Sequence, residues 1–319
     1  MSSGTSRRRR WAFALLALLG AASAFSVVLA VAAPASQRRG AALTATAASP
    51  SFAVGIRVLR LIDSSRTIRL PSGRIEPREL LTYVRYPAVG APDATDLADV
   101  PAARAEGPFP LVVFAHGFAV TPALYAHLLQ SWARAGYVVA APVFPLENAN
   151  APGGPDESDL INQPTDMRLV ISRVLHASSA GAGPLTGLVD STRIAVAGHS
   201  DGGETALAAA YSRDFRDPRI DAAVILSGAR MSGVGGLSFS AGSPPLLAAQ
   251  GTADTINDPR FTDAFYDQAR RPKYLLRLLG AEHLPPYTRE QPQLGIVERV
   301  TVAFLDGYLK RRPGALQRL

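Results

Sequence analysis

The feature that most constrains this chain is a glycine-rich turn that lies between a strand pattern and a helix pattern, at residues 193–203 (RIAVAGHSDGG). The apolar run 194–197 predicts a buried strand, and the alanine-rich run 204–211 predicts a helix. Between them, residues 198–202 read G-x-S-x-G. This sequence is either an ordinary glycine-rich turn or a nucleophile elbow, and the strand and helix around it favour the elbow. An elbow strains its central residue, Ser200, and leaves room only for small neighbours.

The rest of the chain predicts an α/β fold. Three short alternating runs, at 54–62, 67–70 and 80–86, predict antiparallel leading strands, and the proline-rich residues 87–110 predict a surface loop. From residue 111 onward, continuous apolar runs alternate with helical periodicity. The predicted strands are 111–115, 137–141, 220–226, 246–249 and 274–279, and the predicted helices are 122–135, 164–177 and 293–311. This alternation predicts a mostly parallel twisted sheet with helices on both faces.

Positive charge is concentrated at the N-terminus. Residues 1–39 hold six arginines and no acid. The rest of the chain contains the other 27 of the 33 basic residues and all 26 acidic ones, so its charges nearly balance. The formal charge of +7 therefore implies no nucleic-acid partner. Four arginines at 7–10 precede a charge-free run of 25 residues, 11–35, that ends in Ala-Pro-Ala. We expect residues 1–39 to be a cleaved export signal or an uncleaved membrane anchor, and in both cases the body lies outside the cytoplasm. Any contact with a membrane is expected through this segment alone.

Residues 40–50, rich in Ala, Thr and Ser, predict a linker, and residues 51–319 form one predicted domain. The chain has no cysteine, which excludes disulfides, thiol nucleophiles and thiolate-bound metals. Neither clustered metal-ligand spacing nor G-x-G-x-x-G is present, so we expect no metal and no dinucleotide cofactor.

A serine becomes a nucleophile when a histidine accepts its proton and an acid orients that histidine. His283 follows the last predicted strand, at the edge where the carboxyl ends of the strands meet, and we assign it as the base. The acid should lie between serine and histidine in the chain, which favours Asp254, with Asp258 as the alternative. The N–H of Asp201 and the N–H of Phe118 are the expected oxyanion-hole donors, with Ala119 as the alternative to Phe118.

In this order, the elbow G-H-S-D-G-G, the upstream F-A-H-G-F, the late aspartate and the final histidine resemble the α/β-hydrolases. Over residues 105–312 the chain resembles the group of dienelactone hydrolases, chlorophyllases and platelet-activating-factor acetylhydrolases, and also the cutinases. The resemblance implies the α/β-hydrolase fold and hydrolysis of carboxylic esters without a cofactor. Dienelactone hydrolases use a cysteine nucleophile, whereas position 200 is serine, so their lactone chemistry is not implied.

Caps in this superfamily are usually inserted after the strand that follows the elbow helix. Here that connection, residues 227–245, is short and dominated by Gly and Ser, so we expect no large cap domain. The cleft should then accept apolar, bulky or polymeric esters, with Phe118 and Phe239 as apolar contacts. Two alternatives stay open, a serine peptidase or acyltransferase on the same fold and a non-catalytic binding domain.

Overall fold

The computed structural model describes residues 51–319. The predicted export signal or anchor (1–39) and the whole predicted linker (40–50) lie outside the described residues. The described part of the chain begins with an antiparallel pair, β1 (Ala53–Arg69) and β2 (Ile75–Ala88). Two separate strands were expected where β1 runs without a break. The strand continues because its register shifts between Asp63 and Thr67. This bulge accommodates the two serines, Ser64 and Ser65, that were expected to form a turn.

All strands join one mixed sheet of nine, in the order β3-β1-β2-β5-β4-β6-β7-β8-β9. The remaining strands are β3 (Leu97–Ala98), β4 (Phe109–Ala115), β5 (Val138–Val143), β6 (Val189–His199), β7 (Ala222–Leu226), β8 (Leu246–Gly251) and β9 (Lys273–Leu278). The six strands from β5 to β9 in this order are parallel, and β2 joins them antiparallel. Because their carboxyl ends lie at one edge, the loops after β4, β6, β8 and β9 meet there.

Helices cover both faces of the sheet. They are α1 (Ala126–Arg134), α2 (Gln163–Ser179), α3 (Asp201–Tyr211), α4 (Pro259–Gln268) and α5 (Gln293–Tyr308). One core joins the sheet to α2, α3 and α4, and a second core on the other face joins it to α1 and α5. Strands buried on both faces explain the continuous apolar runs in the sequence. These features confirm the predicted α/β class, with its parallel sheet and antiparallel leading strands.

The connection between β7 and β8 contains no helix along residues 227–245, all of which belong to the described chain. Two of its buried side chains, Met231 and Val234, pack with Ala208 on α3. The connection therefore lies along the outer side of the elbow helix and forms no cap domain. Within residues 51–319, no helix is both long enough and apolar enough to cross a membrane.

Candidate active site

The elbow, residues 198–203, joins the end of β6 to the start of α3. Ser200 has φ 56° and ψ −124°, a conformation that non-glycine residues rarely adopt. The glycines around it are required by close backbone contacts: a Cβ on Gly198 would lie 1.9 Å from the carbonyl O of Gly202, and one on Gly202 would lie 2.1 Å from the carbonyl O of Ala115. These distances are far below van der Waals contact. The glycines thus let α3 press against β4 and β6, and this packing holds Ser200 in its strained geometry.

The structure brings together the three side chains predicted to act as nucleophile, base and acid. His283 Nε2 lies 2.9 Å from Ser200 Oγ, and His283 Nδ1 lies 2.8 Å from Asp254 Oδ2. Since an ionised carboxylate only accepts hydrogen bonds, Nδ1 carries the proton and donates it to Asp254. Nε2 is then the free lone pair, and it accepts the hydroxyl hydrogen of Ser200. This arrangement can move a proton from serine to histidine.

Asp254 is buried, and its carboxylate is held by several donors. The backbone N–H groups of Ile256 and Asn257 donate to Oδ1 at 2.9 Å each, and Gln250 Nε2 donates to Oδ2 at 3.0 Å. Burial alone raises the pKa of Asp254, but the hydrogen bond and charge of His283 and the two N–H donors outweigh it, so the net pKa is below the ordinary value. The group therefore stays ionised. The alternative acid, Asp258, instead accepts the N–H of Arg260 at the start of α4.

The predicted oxyanion donors lie on either side of Ser200. A Cβ on Gly117 would lie 3.1 Å from Ser200 Cβ, so the loop after β4 touches the serine directly. Among the described residues, the N–H of Phe118 donates to no protein acceptor, whereas the N–H of Ala119 is bound to the carbonyl O of Glu147 at 3.0 Å. Asp201 is the first residue of α3, where backbone N–H groups have no partner within the helix. The geometry therefore favours Phe118 over Ala119 as the second donor.

A buried polar network, for which no local sequence pattern gives a prediction, links the loop of Phe118 to the loop of His283. His199 Nε2 lies 2.9 Å from the carbonyl O of His283, and because a carbonyl only accepts, Nε2 carries the proton. His199 Nδ1 then accepts the hydroxyl of Tyr125 at 2.8 Å, and that hydroxyl accepts the N–H of Gly117 at 3.3 Å. Burial lowers the pKa of His199 to about 3, so the ring is neutral. The only sequence signal for this role was the position of His199 beside Ser200.

The other histidines take structural or solvent-exposed positions. His116 is fully buried, its Nε2 accepts the N–H of Phe144 at 3.1 Å and its Nδ1 donates to the carbonyl O of Gly117. It therefore ties the ends of β4 and β5 together, and burial lowers its pKa to about 4. His127 and His176 lie exposed on α1 and α2.

One predicted substrate contact is wrong. The ring of Phe239 packs 4.8 Å from the ring of Tyr211, which ends α3. Since α3 begins beside Ser200 and ends at Tyr211, Phe239 packs at the opposite end of this helix from the serine. The prediction failed because the 227–245 connection follows α3 away from the elbow. Phe118 is 40 % exposed beside the elbow, and Ile256, which the sequence analysis missed, is 51 % exposed two residues after Asp254.

Within residues 51–319, no group of three or more His, Cys, Asp or Glu side chains is arranged to hold a metal ion.

Comparisons with known proteins agree with this architecture. A family model described as Chlorophyllase matches residues 89–245, which is 157 of 319 residues, just under half of the chain. The match includes the elbow and the loop of Phe118, and it ends before Asp254 and His283. No curated protein matches the chain.

Among solved structures, the chain is similar to a ferulic acid esterase from Streptomyces cinnamoneus, with a TM-score of 0.61 and 23 % identity over 83 % of this chain and 92 % of that one. At this identity the likeness concerns the fold. Strand order, elbow geometry and structural likeness agree, and the chain has the α/β-hydrolase fold.

Proposed function

We propose that this protein is a serine hydrolase of carboxylic esters. The observation that carries the proposal is the hydrogen-bonded chain from Ser200 through His283 to Asp254, built on an elbow with Ser200 at φ 56°. The match to the Chlorophyllase model and the likeness to a ferulic acid esterase support an ester as the substrate.

The proposed reaction has two steps. Ser200 Oγ attacks the ester carbonyl carbon while its proton passes to His283 Nε2, and the N–H groups of Phe118 and Asp201 bind the oxyanion that forms. The C–O bond then breaks, and the leaving alcohol takes the proton from Nε2, which leaves an acyl group on Ser200. Water, deprotonated by the same nitrogen, attacks the acyl carbon, and Oγ leaves with that proton. Asp254 remains ionised throughout and stabilises the charged imidazole.

The proposed substrates are esters with apolar or bulky groups. Phe118 and Ile256 are large apolar side chains, each more than one third exposed, on the loops that carry the oxyanion donor and the acid. The connection after β7 lies along α3 and leaves the approach to Ser200 without a cap domain. An apolar acyl or alcohol group can pack on these two side chains, and a polymeric ester can reach the serine between them.

A panel of chromogenic esters of increasing chain length, together with peptide substrates, tests the proposal on the purified protein. We expect turnover of esters and none of peptides, and labelling of Ser200 by a fluorophosphonate. Ser200→Ala should lower kcat by about 10⁴-fold or more and leave thermal unfolding unchanged. Near-normal activity in a folded Ser200→Ala protein would refute the mechanism. Peptide cleavage, or acyl transfer to an added alcohol in preference to water, would support the alternative activities.

Export of the body is a further part of the proposal and depends on the arginine block and apolar run of residues 1–39. N-terminal mass analysis of the protein isolated from its own cells distinguishes the two forms. A start near Ser36 indicates cleavage, and an intact N-terminus in the membrane fraction indicates an anchor. Activity confined to the cytosol contradicts both.

A further inference from the structure

Two carboxyl groups meet behind the oxyanion hole. Glu147, in the loop after β5, is fully buried, and neither of its carboxyl oxygens has a hydrogen-bond donor among the described residues. Oδ2 of Asp201, the residue after the elbow serine, is buried without a donor in the same way. Each of the two carboxyl groups acts on the pKa of the other as a hydrogen-bonding neighbour. Because two ionised carboxylates can only accept, the contact requires a proton between them.

The surroundings favour that proton on Glu147. The pKa of Glu147 is raised to about 10, and burial is the largest cause. The hydrogen bond and negative charge of Asp201 raise it further, as do the charges of Asp159 and Glu157. The nearby buried cation Arg78 is itself hydrogen-bonded to Asp159, at 2.8 and 2.7 Å, and to Asp166.

The other side of the pair faces the site. Burial raises the pKa of Asp201, whereas Glu147, His283 and the backbone N–H of Asp201 itself oppose the rise. Glu204, on the first turn of α3, also faces Asp201 and Glu157, and burial raises its pKa to about 8. These are the charged groups that face the pair from the neighbouring elements.

The Asp201 carboxylate lies near its own backbone N–H, the group proposed to bind the oxyanion. A carboxylate that took this N–H would compete with the oxyanion for it and would repel its negative charge. A protonated Glu147 offers the carboxylate a stronger donor on the other side, since a hydrogen bond between a neutral acid and a carboxylate is charge-assisted. The backbone N–H is then left for the substrate.

The main chain of Glu147 supports the second oxyanion donor. Its carbonyl O accepts the N–H of Ala119 at 3.0 Å. Ala119 has a φ of 55°, a conformation that costs energy in a non-glycine residue, and this hydrogen bond helps to hold it there. This bond fixes the residue next to Phe118 and so fixes the direction of the Phe118 N–H. Glu147 thus contacts the oxyanion hole from both sides, through its side chain and through its backbone.

We propose that Glu147 is a positioning residue of the oxyanion hole, whose carboxyl O–H binds the Asp201 carboxylate and keeps the Asp201 N–H free for the oxyanion. The proposal rests on the proposed esterase function. Loss of the proton from Glu147 would place two negative charges side by side in a buried site and return the Asp201 carboxylate toward its own N–H.

Three variants test this role in steady-state assays from pH 6 to 10.5, followed by pH-stat with alkyl esters and corrected for spontaneous hydrolysis. Glu147→Gln keeps a side-chain donor at every pH, and Glu147→Leu removes it. Glu157→Gln is the matched control, because Glu157 interacts with Asp201 through charge alone and is exposed.

We expect Glu147→Leu to lower kcat by about 10- to 100-fold with KM changed less than about threefold, since loss of a complete oxyanion donor costs about 10²- to 10³-fold. The wild type should lose activity as the pH rises through about 10, where Glu147 loses its proton. Glu147→Gln should be more active than Glu147→Leu and should lack this alkaline loss. Glu157→Gln should stay within about twofold of the wild type.

Infrared difference spectroscopy measures the proton independently of activity. The wild type minus Glu147→Gln should show a protonated carboxyl band at pH 7.5, and the subtraction cancels other protonated acids such as Glu204. Absence of the band would refute the shared proton. If the wild type is active, either of two results would refute the positioning role. One is a folded Glu147→Leu protein with the same kcat as the wild type. The other is a Glu147→Gln protein that still loses activity at alkaline pH. A wild type inactive on every ester would instead refute the proposed function.

Discussion

Replacing Tyr125 by phenylalanine removes one oxygen atom and tests the network behind the active site. The Tyr125 hydroxyl accepts the N–H of Gly117 and donates to His199 Nδ1, and all three residues are buried. The substitution leaves both partners in place without a hydrogen bond, and neither can reach water.

An unsatisfied buried polar group costs about 1–3 kcal/mol, so the two groups together should lower the free energy of unfolding by about 2–4 kcal/mol after partial relaxation. For a domain of this size that corresponds to a fall in Tm of roughly 5–12 °C. The loss should also reach the chemistry. Gly117 precedes the Phe118 donor, and His199 holds the carbonyl of His283, so we expect kcat to fall on the order of tenfold through misplacement of these groups.

Tyr86→Phe is the matched control. The Tyr86 ring is equally buried, and its hydroxyl donates one hydrogen bond, of 2.8 Å, to the carbonyl O of Val100 near the start of the sheet. This variant should lose about 0.5–1.5 kcal/mol and keep its kcat. Chemical denaturation and ester turnover measure both effects. If Tyr125→Phe loses no more stability than Tyr86→Phe and retains full kcat, the network does not couple the two loops.

Three further predictions follow from the site and its surroundings. Asp254→Asn should lower kcat by about 10³- to 10⁴-fold because it favours the wrong histidine tautomer. Asp258→Asn should affect only the start of α4. A larger loss of kcat in Asp258→Asn than in Asp254→Asn would contradict the assignment of the acid. Because the pKa of Glu147 is raised in the folded state, the unfolded chain releases this proton at lower pH, and stability falls as the pH rises from about 4.5 toward 10. Glu147→Gln has no such proton to lose, so the Tm of this variant minus the Tm of the wild type should increase across that pH range. A Tm difference that stays constant with pH would contradict the raised pKa of Glu147. The uncapped approach to Ser200 predicts no jump in activity when an ester substrate passes from monomer to micelle, and strong interfacial activation would show that a segment closes over the serine.

Local patterns in the sequence were sufficient for the sheet, for most helices and for the elbow. Burial on both faces leaves a continuous apolar run in each parallel strand, and the backbone contacts at Gly198 and Gly202 exclude every larger residue. Three local readings failed. Residues 87–110 were read as a loop, yet they contain the short strand β3. The bulge in β1 was read as a break, and α4 was missed, because only Thr262 and Phe265 of its ten residues are buried.

The positions of Ser200, Asp254 and His283 were also accessible from the sequence. In a parallel sheet the carboxyl ends of the strands lie at one edge, so a residue just after a strand is placed there by chain order alone. Chain order did not separate Asp254 from Asp258. That choice depends on the course of the loop, which turns Asp254 toward His283 and leaves Asp258 at the start of α4.

The supporting contacts were decided only by tertiary structure. Tyr125 and His199 lie 74 residues apart in the chain, and Glu147 and Asp201 lie on different elements, so no local pattern pairs them. Phe239 was misplaced for the same reason, since its position depends on how residues 227–245 pack against α3. Periodicity and backbone sterics act over a few residues and can be read along the chain, whereas the partner of a buried polar group is set by which loops the completed sheet brings together.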